Sequence, residues 1–210
     1  MTSSPSNSVS TLTLQPPASQ ATPTSGADGV VALSWSASPS AGATPVSYHV
    51  LRRPAGAGAY AQIAGPLSGL TYSDDPNADG EYDYVIRADA SGFTADSVAR
   101  TGRSDSSGPT APTDLTATSG VVGDGVATVT LSWTASSDPS GVSAYQVYYV
   151  IGNALNCGTA SYALHGTQPS GTSYSFPGTS LKYYCFYLTA RDTLGHVGPA
   201  STQVGPVLAQ

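Results

Sequence analysis

The chain has 210 residues, of which 40% are hydrophobic and only 10% charged, and its net charge of −6 includes a single lysine, Lys182. Nucleic acid and anionic membrane surfaces are held by clustered cations, so both are excluded as partners; no apolar run is long enough for a membrane helix. The 16 prolines and 23 glycines lie among abundant Thr, Ser, Val and Tyr, without a sustained apolar period of 3.6, which predicts an all-β chain punctuated by turns.

In chain order, Met1–Ser10 is Ser-rich, with neither the cationic start nor the apolar core of a signal peptide. Three expectations follow: a piece of a longer exported protein, a protein released to the exterior by host lysis, as virion proteins are, or a cytoplasmic resident, against which the cysteine pair Cys157 and Cys185 counts. Thr11–Gln15 alternates and reads either as a first strand or as an arm that adds to a neighbour's sheet. Strands are then predicted at Val30–Trp35, Ser47–Arg53, Tyr60–Ile63, Leu70–Ser73, Glu81–Asp89 and near Phe93–Arg100. A period of two turns Tyr82, Tyr84, Ile86 and Ala88 inward.

Arg103–Pro112 is a linker stiffened by Pro109 and Pro112. Beyond it, strands are predicted at Leu115–Thr118, Ala127–Trp133, Ala144–Ile151, Tyr183–Asp192 and Ser201–Val207, with a hairpin at Gly123-Asp124-Gly125. The segment Gly152–Gly166 has no counterpart in the first half.

One tripeptide occurs twice, Leu33-Ser34-Trp35 and Leu131-Ser132-Trp133, and each copy is followed by a Tyr-x-Val strand at Tyr48 and Tyr145. The two tryptophans, the only ones in the chain, stand 98 residues apart, about the length of one small β-sandwich. Each is expected to plug the core of its own sandwich. The division is therefore an arm or linker at 1–15, a first sandwich at 16–104, a Pro/Ser linker at 105–112 and a second sandwich at 113–210.

Together with Tyr82-x-Tyr84-x-Ile86-x-Ala88 and Tyr184-x-Phe186-x-Leu188-x-Ala190-Arg191-Asp192, these residues resemble the fibronectin type III family, in the style of its bacterial or bacteriophage branch. The resemblance implies two tandem immunoglobulin-like Greek-key sandwiches of three plus four strands, without catalytic apparatus. It also implies that Tyr82 and Tyr184 form tyrosine corners, each hydroxyl bonded to backbone a few residues upstream. Such a fold hosts many roles and specifies none.

Cys157 and Cys185 are the only cysteines. Cys185 neighbours an inward tyrosine, so it faces outward, and the insertion holding Cys157 returns to the same end of the sheet. The pair reads as a disulfide formed outside the cell, against the alternative of two isolated thiols. Asp75, Asn77 and Asp79, followed by Gly80, match the first half of a calcium loop, although the twelfth position is Ile86 rather than a bidentate glutamate. A plain Asx turn is the competing reading. No cofactor is expected beyond that cation. Asp138 and Asp192 are expected to approach one another across two loops, as turn caps.

His49, His165 and His196 are scattered, no serine sits in a nucleophile elbow, and Glu81, the one glutamate, lacks an acid–base partner, so no enzyme is expected. Arg52-Arg53 on one strand sends a side chain to each face. Tyr148, Tyr183 and Tyr187 fall on outward positions flanking Cys185 and offer a surface to a protein neighbour or a glycan; tyrosine's simple aptitude for strands is the alternative. The expected function is a non-catalytic structural or adhesive protein displayed on an extracellular assembly, a virion or a cell-surface appendage. The alternative is a spacer within a secreted carbohydrate-active enzyme.

Overall fold

The computed structural model describes residues 14–17, 20–42, 45–122 and 126–210. The chain divides into two compact units, Met1–Ser104 and Asp105–Gln210. Each is a β-sandwich, and no α-helix occurs among the described residues.

The first unit contains β1 (Thr24–Ser25), β2 (Val31–Ser34), β3 (Ser47–Pro54), β4 (Ala61–Leu67), β5 (Thr71–Asp74), β6 (Gly80–Ala90), β7 (Phe93–Asp96) and β8 (Arg100–Ser104), with a 3-10 turn at Pro39–Gly42. One sheet has the order β1-β2-β5; the other runs β4-β3-β6, with β7 and β8 both on the far edge of β6. Alternation in β2 buries Val31 and Leu33 and leads into buried Trp35. These pack against Tyr48 and Val50 of β3 and Tyr84, Ile86 and Ala88 of β6. The Trp35 and Tyr48 rings meet at 5.9 Å between centroids.

The second unit repeats the plan with β9 (Thr113–Val122), β10 (Val126–Thr134), β11 (Val142–Gly152), β12 (Ala163–Leu164), β13 (Ser173–Pro177), β14 (Tyr183–Asp192) and β15 (Val204–Leu208). Its sheets are β13-β10-β9 and β12-β11-β14-β15. Its core centres on Val129, Leu131, Trp133, Tyr145, Val147, Phe176, Phe186 and Leu188, with Trp133 and Tyr145 at 5.1 Å. The Val122↔Val126 pair brackets the predicted hairpin at 123–125, which lies outside the described residues.

Local chemistry is duplicated as well as topology. Tyr48 Oη accepts the Ser38 N–H at 2.8 Å, and Tyr145 Oη accepts that of Ser136 at 2.9 Å, closing the loop after each tryptophan. At the other end, the Tyr82 hydroxyl donates to the Ala78 carbonyl at 3.1 Å and the Tyr184 hydroxyl accepts the Thr179 N–H at 2.9 Å. Both bonds reach backbone just upstream.

The structure departs from the sequence reading at several places. The single last strand predicted near Phe93–Arg100 is two strands, because Ser97 breaks the ladder: its N–H donates to the Ile86 carbonyl while its Oγ accepts the Ile86 N–H. A side chain thus replaces one backbone acceptor, and Val98 is thrown outward. In the second unit, β13 carries no expectation from sequence, yet it pairs with β10 from Thr128↔Pro177 to Ser132↔Ser173. Finally, Leu14 and Gln15 form no strand; Leu14 packs on the first core, and Gln15 bonds the side chains of Ser38 and Ser40. The described end of the predicted arm therefore belongs to its own unit, while Thr11–Thr13 and the preceding Ser-rich stretch lie outside the described residues.

Candidate functional site

The β11–β14 ladder fixes the outward rows of the second unit. Its register sets Gln146 opposite Thr189, Tyr148 opposite Tyr187, Val150 opposite Cys185 and Gly152 opposite Tyr183. Since Phe186 and Leu188 are inward core residues, Cys185, Tyr187 and Thr189 take the outer face. The Tyr148 and Tyr187 rings stack at 4.7 Å with planes 11° apart. Tyr162, from the insertion, closes on Tyr187 at 4.9 Å.

The insertion is held there by three devices. Cys157 and Cys185 form a disulfide with Cα atoms 5.6 Å apart. Asn153 accepts the N–H groups of Leu155 and Asn156 on its side-chain oxygen, which folds the loop tip. Gly152 permits the return, because a Cβ there would lie 2.5 Å from the Asn156 carbonyl oxygen. The short strand β12 then pairs Leu164 with Tyr148.

The three outward tyrosines read from the sequence are thus not one patch. The row carrying Cys185 separates Tyr183 from the Tyr148/Tyr187 row, and consecutive outward rows are about 6.6 Å apart. Tyr148, Tyr183 and Tyr187 are all half-buried. Tyr162 is the residue that sequence reasoning missed; only its place in the insertion, five residues after Cys157, pointed toward this face. Burial raises the hydroxyl pKa of Tyr162, with the Tyr187 ring next to it adding to the effect, and burial likewise raises that of Tyr187. The Tyr162 hydroxyl has no hydrogen-bond partner among the described residues. Such a stack ties three segments together.

The remaining singled-out residues have separate duties. Asp75 Oδ1 accepts the Asn77 N–H at 3.0 Å, and Asn77 takes a positive φ of 59°, which is Asx-turn geometry before β6. Arg52 and Arg53 diverge as alternation requires. Arg52 pairs with buried Asp74, whose Oδ2 also accepts the Tyr84 hydroxyl at 2.8 Å, and Arg53 pairs with Asp83. His165 is not a loose surface histidine: its Nε2 lies 2.7 Å from the Tyr174 hydroxyl, and its ring packs on Phe176 at 5.0 Å. Asp138 and Asp192 cap different loops. Asp138 accepts from Ser140, whereas Asp192 Oδ1 accepts the N–H groups of Leu194, Gly195 and His196.

No family model matches the chain. Chitinase A1 of Niallia circulans is 34% identical over 148 residues, which are 66% of this chain and 18% of that protein. The chain therefore spans less than a fifth of the length of this curated relative. The solved FN1–FN3 domains of chicken CNTN1 align over 90% of this chain and 64% of theirs, at 18% identity and a TM-score of 0.47. Across 66% of its length, then, this pair of all-β sandwiches is similar in sequence to part of a chitinase.

Proposed function

We propose that the chain is a non-catalytic accessory region of an exported, glycan-directed protein, in which two stiff sandwiches space and present a partner domain. The single observation that carries this reading is the 34% identity to chitinase A1 over 148 residues. The disulfide supports an oxidising exterior. The chain's polar groups support a scaffold: Arg52, Asp74, Tyr84, Arg53 and Asp83 are spent on one another within the fold. Of the two roles expected from sequence, the spacer now leads.

The test is product release from insoluble chitin and from soluble chito-oligosaccharides. The chain alone releases none, and joining it to a chitin-hydrolysing domain raises turnover on the insoluble substrate several-fold while leaving the soluble one unchanged. Hydrolysis by the repurified chain alone, or no difference between the two substrates, would refute the proposal.

Display on an assembly is the second reading, favoured by the apolar end of the second unit. Leu155, at the tip of the disulfide-held insertion, is 90% exposed, and Ile151 at the end of β11 is 51% exposed. Apolar side chains held out on a braced loop suit a protein neighbour. Light scattering after size exclusion decides it: self-association or partner capture that Leu155→Asp abolishes supports display, and a monomer indifferent to that change removes it.

A further inference from the structure

Independently of that reading, the opposite end of the second unit contains a buried carboxyl group without a partner among the described residues. Asp105 opens this unit and is wholly buried, yet neither of its carboxylate oxygens has a hydrogen-bond partner among the described residues. Nearby, Asp192 closes β14 with its side chain equally buried, and its Oδ2 lies 2.5 Å from His196 Nδ1. One oxygen of Asp105, one of Asp192 and a ring nitrogen of His196 all lie within 4.8 Å of one another. A buried carboxylate is normally paired, hydrogen-bonded or bound to a metal, and Asp105 has neither of the first two.

The backbone is shaped to bring these groups together. A Cβ on Gly108 would sit 2.6 Å from the Val197 carbonyl carbon, and one on Gly198 would overlap the Pro109 carbonyl oxygen. Two glycines thus let the segment after Asp105 lie directly on the loop that carries His196. Three backbone N–H groups grip Asp192 Oδ1 and leave Oδ2 directed at the imidazole. His196 keeps 18% of its side chain exposed, which is the route inward for a small ion.

We propose that Asp105, Asp192 and His196 hold a divalent first-row cation of the zinc or manganese class. Two carboxylates and one imidazole make an O,O,N donor set. Imidazole suits these ions, whereas calcium takes oxygen ligands alone. The cation neutralises both buried carboxylates and joins the start of the unit to the loop after β14. Asp105 stands in the stretch read from sequence as linker, so spacing gave no sign that it belonged with Asp192 and His196.

Titration calorimetry of the full chain with zinc or manganese chloride alone tests the site, with Asp105→Asn, His196→Asn and, as a control, Asp75→Asn. Wild type and Asp75→Asn bind one equivalent, and their melting temperature rises by roughly 10 °C at a hundredfold excess over Kd. Asp105→Asn and His196→Asn lose affinity on the order of 100-fold. Asp105→Asn stays folded, because it keeps the side chain's shape and removes an ionisable group from the interior. Manganese broadens amide NMR signals of Ser106–Gly108 and Gly195–Gly198 first, which locates the ion independently of stability. The proposal is overturned by no binding of either ion, by binding that survives Asp105→Asn, by broadening centred on Asp75–Asp79, or by a response to calcium alone. It is equally overturned if the metal-free chain gains its stability by acidification, since a proton would then be the counter-charge.

Discussion

Asp74 illustrates how single residues hold this fold. Its carboxylate takes both the Arg52 guanidinium, at 2.8 Å, and the Tyr84 hydroxyl, at 2.8 Å, at the edge of the first core. Burial and the adjoining Asp74 carboxylate push the Tyr84 hydroxyl pKa far upward, so this phenol stays a donor at all ordinary pH. Removing the shared acceptor strands two polar groups, whereas removing the hydroxyl strands none that lacks another partner. Asp74→Ala is therefore expected to cost about 3 kcal/mol and Tyr84→Phe about 1 kcal/mol in urea unfolding. Equal losses would show that the three groups do not act together. Asp83 offers a test by pH. The Gly56 N–H and then the Thr101 hydroxyl, with Arg53 adding to them against the effect of burial, hold its carboxyl below the usual carboxylate range. A folded pKa below the unfolded one gives stability that is present above about pH 4 and lost as pH falls further. Asp83→Asn should flatten the melting temperature of the first unit against pH below about pH 4, and an unchanged slope would place the titration elsewhere.

At the scale of elements, the same serine device recurs. In the first unit Ser97 gives both its N–H and its Oγ to Ile86; in the second, the Ser201 N–H donates to the Leu188 carbonyl at 2.7 Å and its Oγ accepts the Leu188 N–H at 3.0 Å. Leu188 is fully buried, so Ser201→Ala leaves its N–H without an acceptor. The expected cost is about 1–3 kcal/mol, with faster hydrogen exchange at the Leu188 amide; unaltered exchange would mean that water replaces the hydroxyl. The insertion depends on a different kind of tie. Replacing Cys157 and Cys185 by alanine reopens a separation of 28 residues and should cost about 3–4 kcal/mol. Proteases should then cut within residues 153–166 while β14 survives. Resistance there would show that the Tyr148, Tyr187 and Tyr162 stack holds the loop unaided.

For the whole molecule, the relevant fact is that each unit has a complete core built round its own tryptophan. Asp105–Gln210 should therefore fold when produced alone, with one cooperative urea transition. In the full chain, Trp35→Phe leaves fluorescence from Trp133 alone, and Trp133→Phe leaves it from Trp35. The alanine pair at Cys157 and Cys185 should move the transition reported by Trp133 and spare the one reported by Trp35. A shift of both would deny that the units are separate folding bodies.

The repeated Leu-Ser-Trp, the Tyr-x-Val strands and the alternation through Tyr84 or Phe186 determined the two-sandwich plan by themselves, because a period of two reports which side chains meet a core. The outward aspect of Cys185 was legible for the same reason. What alternation does not encode is which distant backbone lies against which. The join of β13 to β10, the ladder break at Ser97 and the capture of Tyr162 by Tyr187 rest on contacts between segments without a shared period. Asp105 and His196, 91 positions apart in sequence, became neighbours only because two glycine-bearing loops pack backbone to backbone.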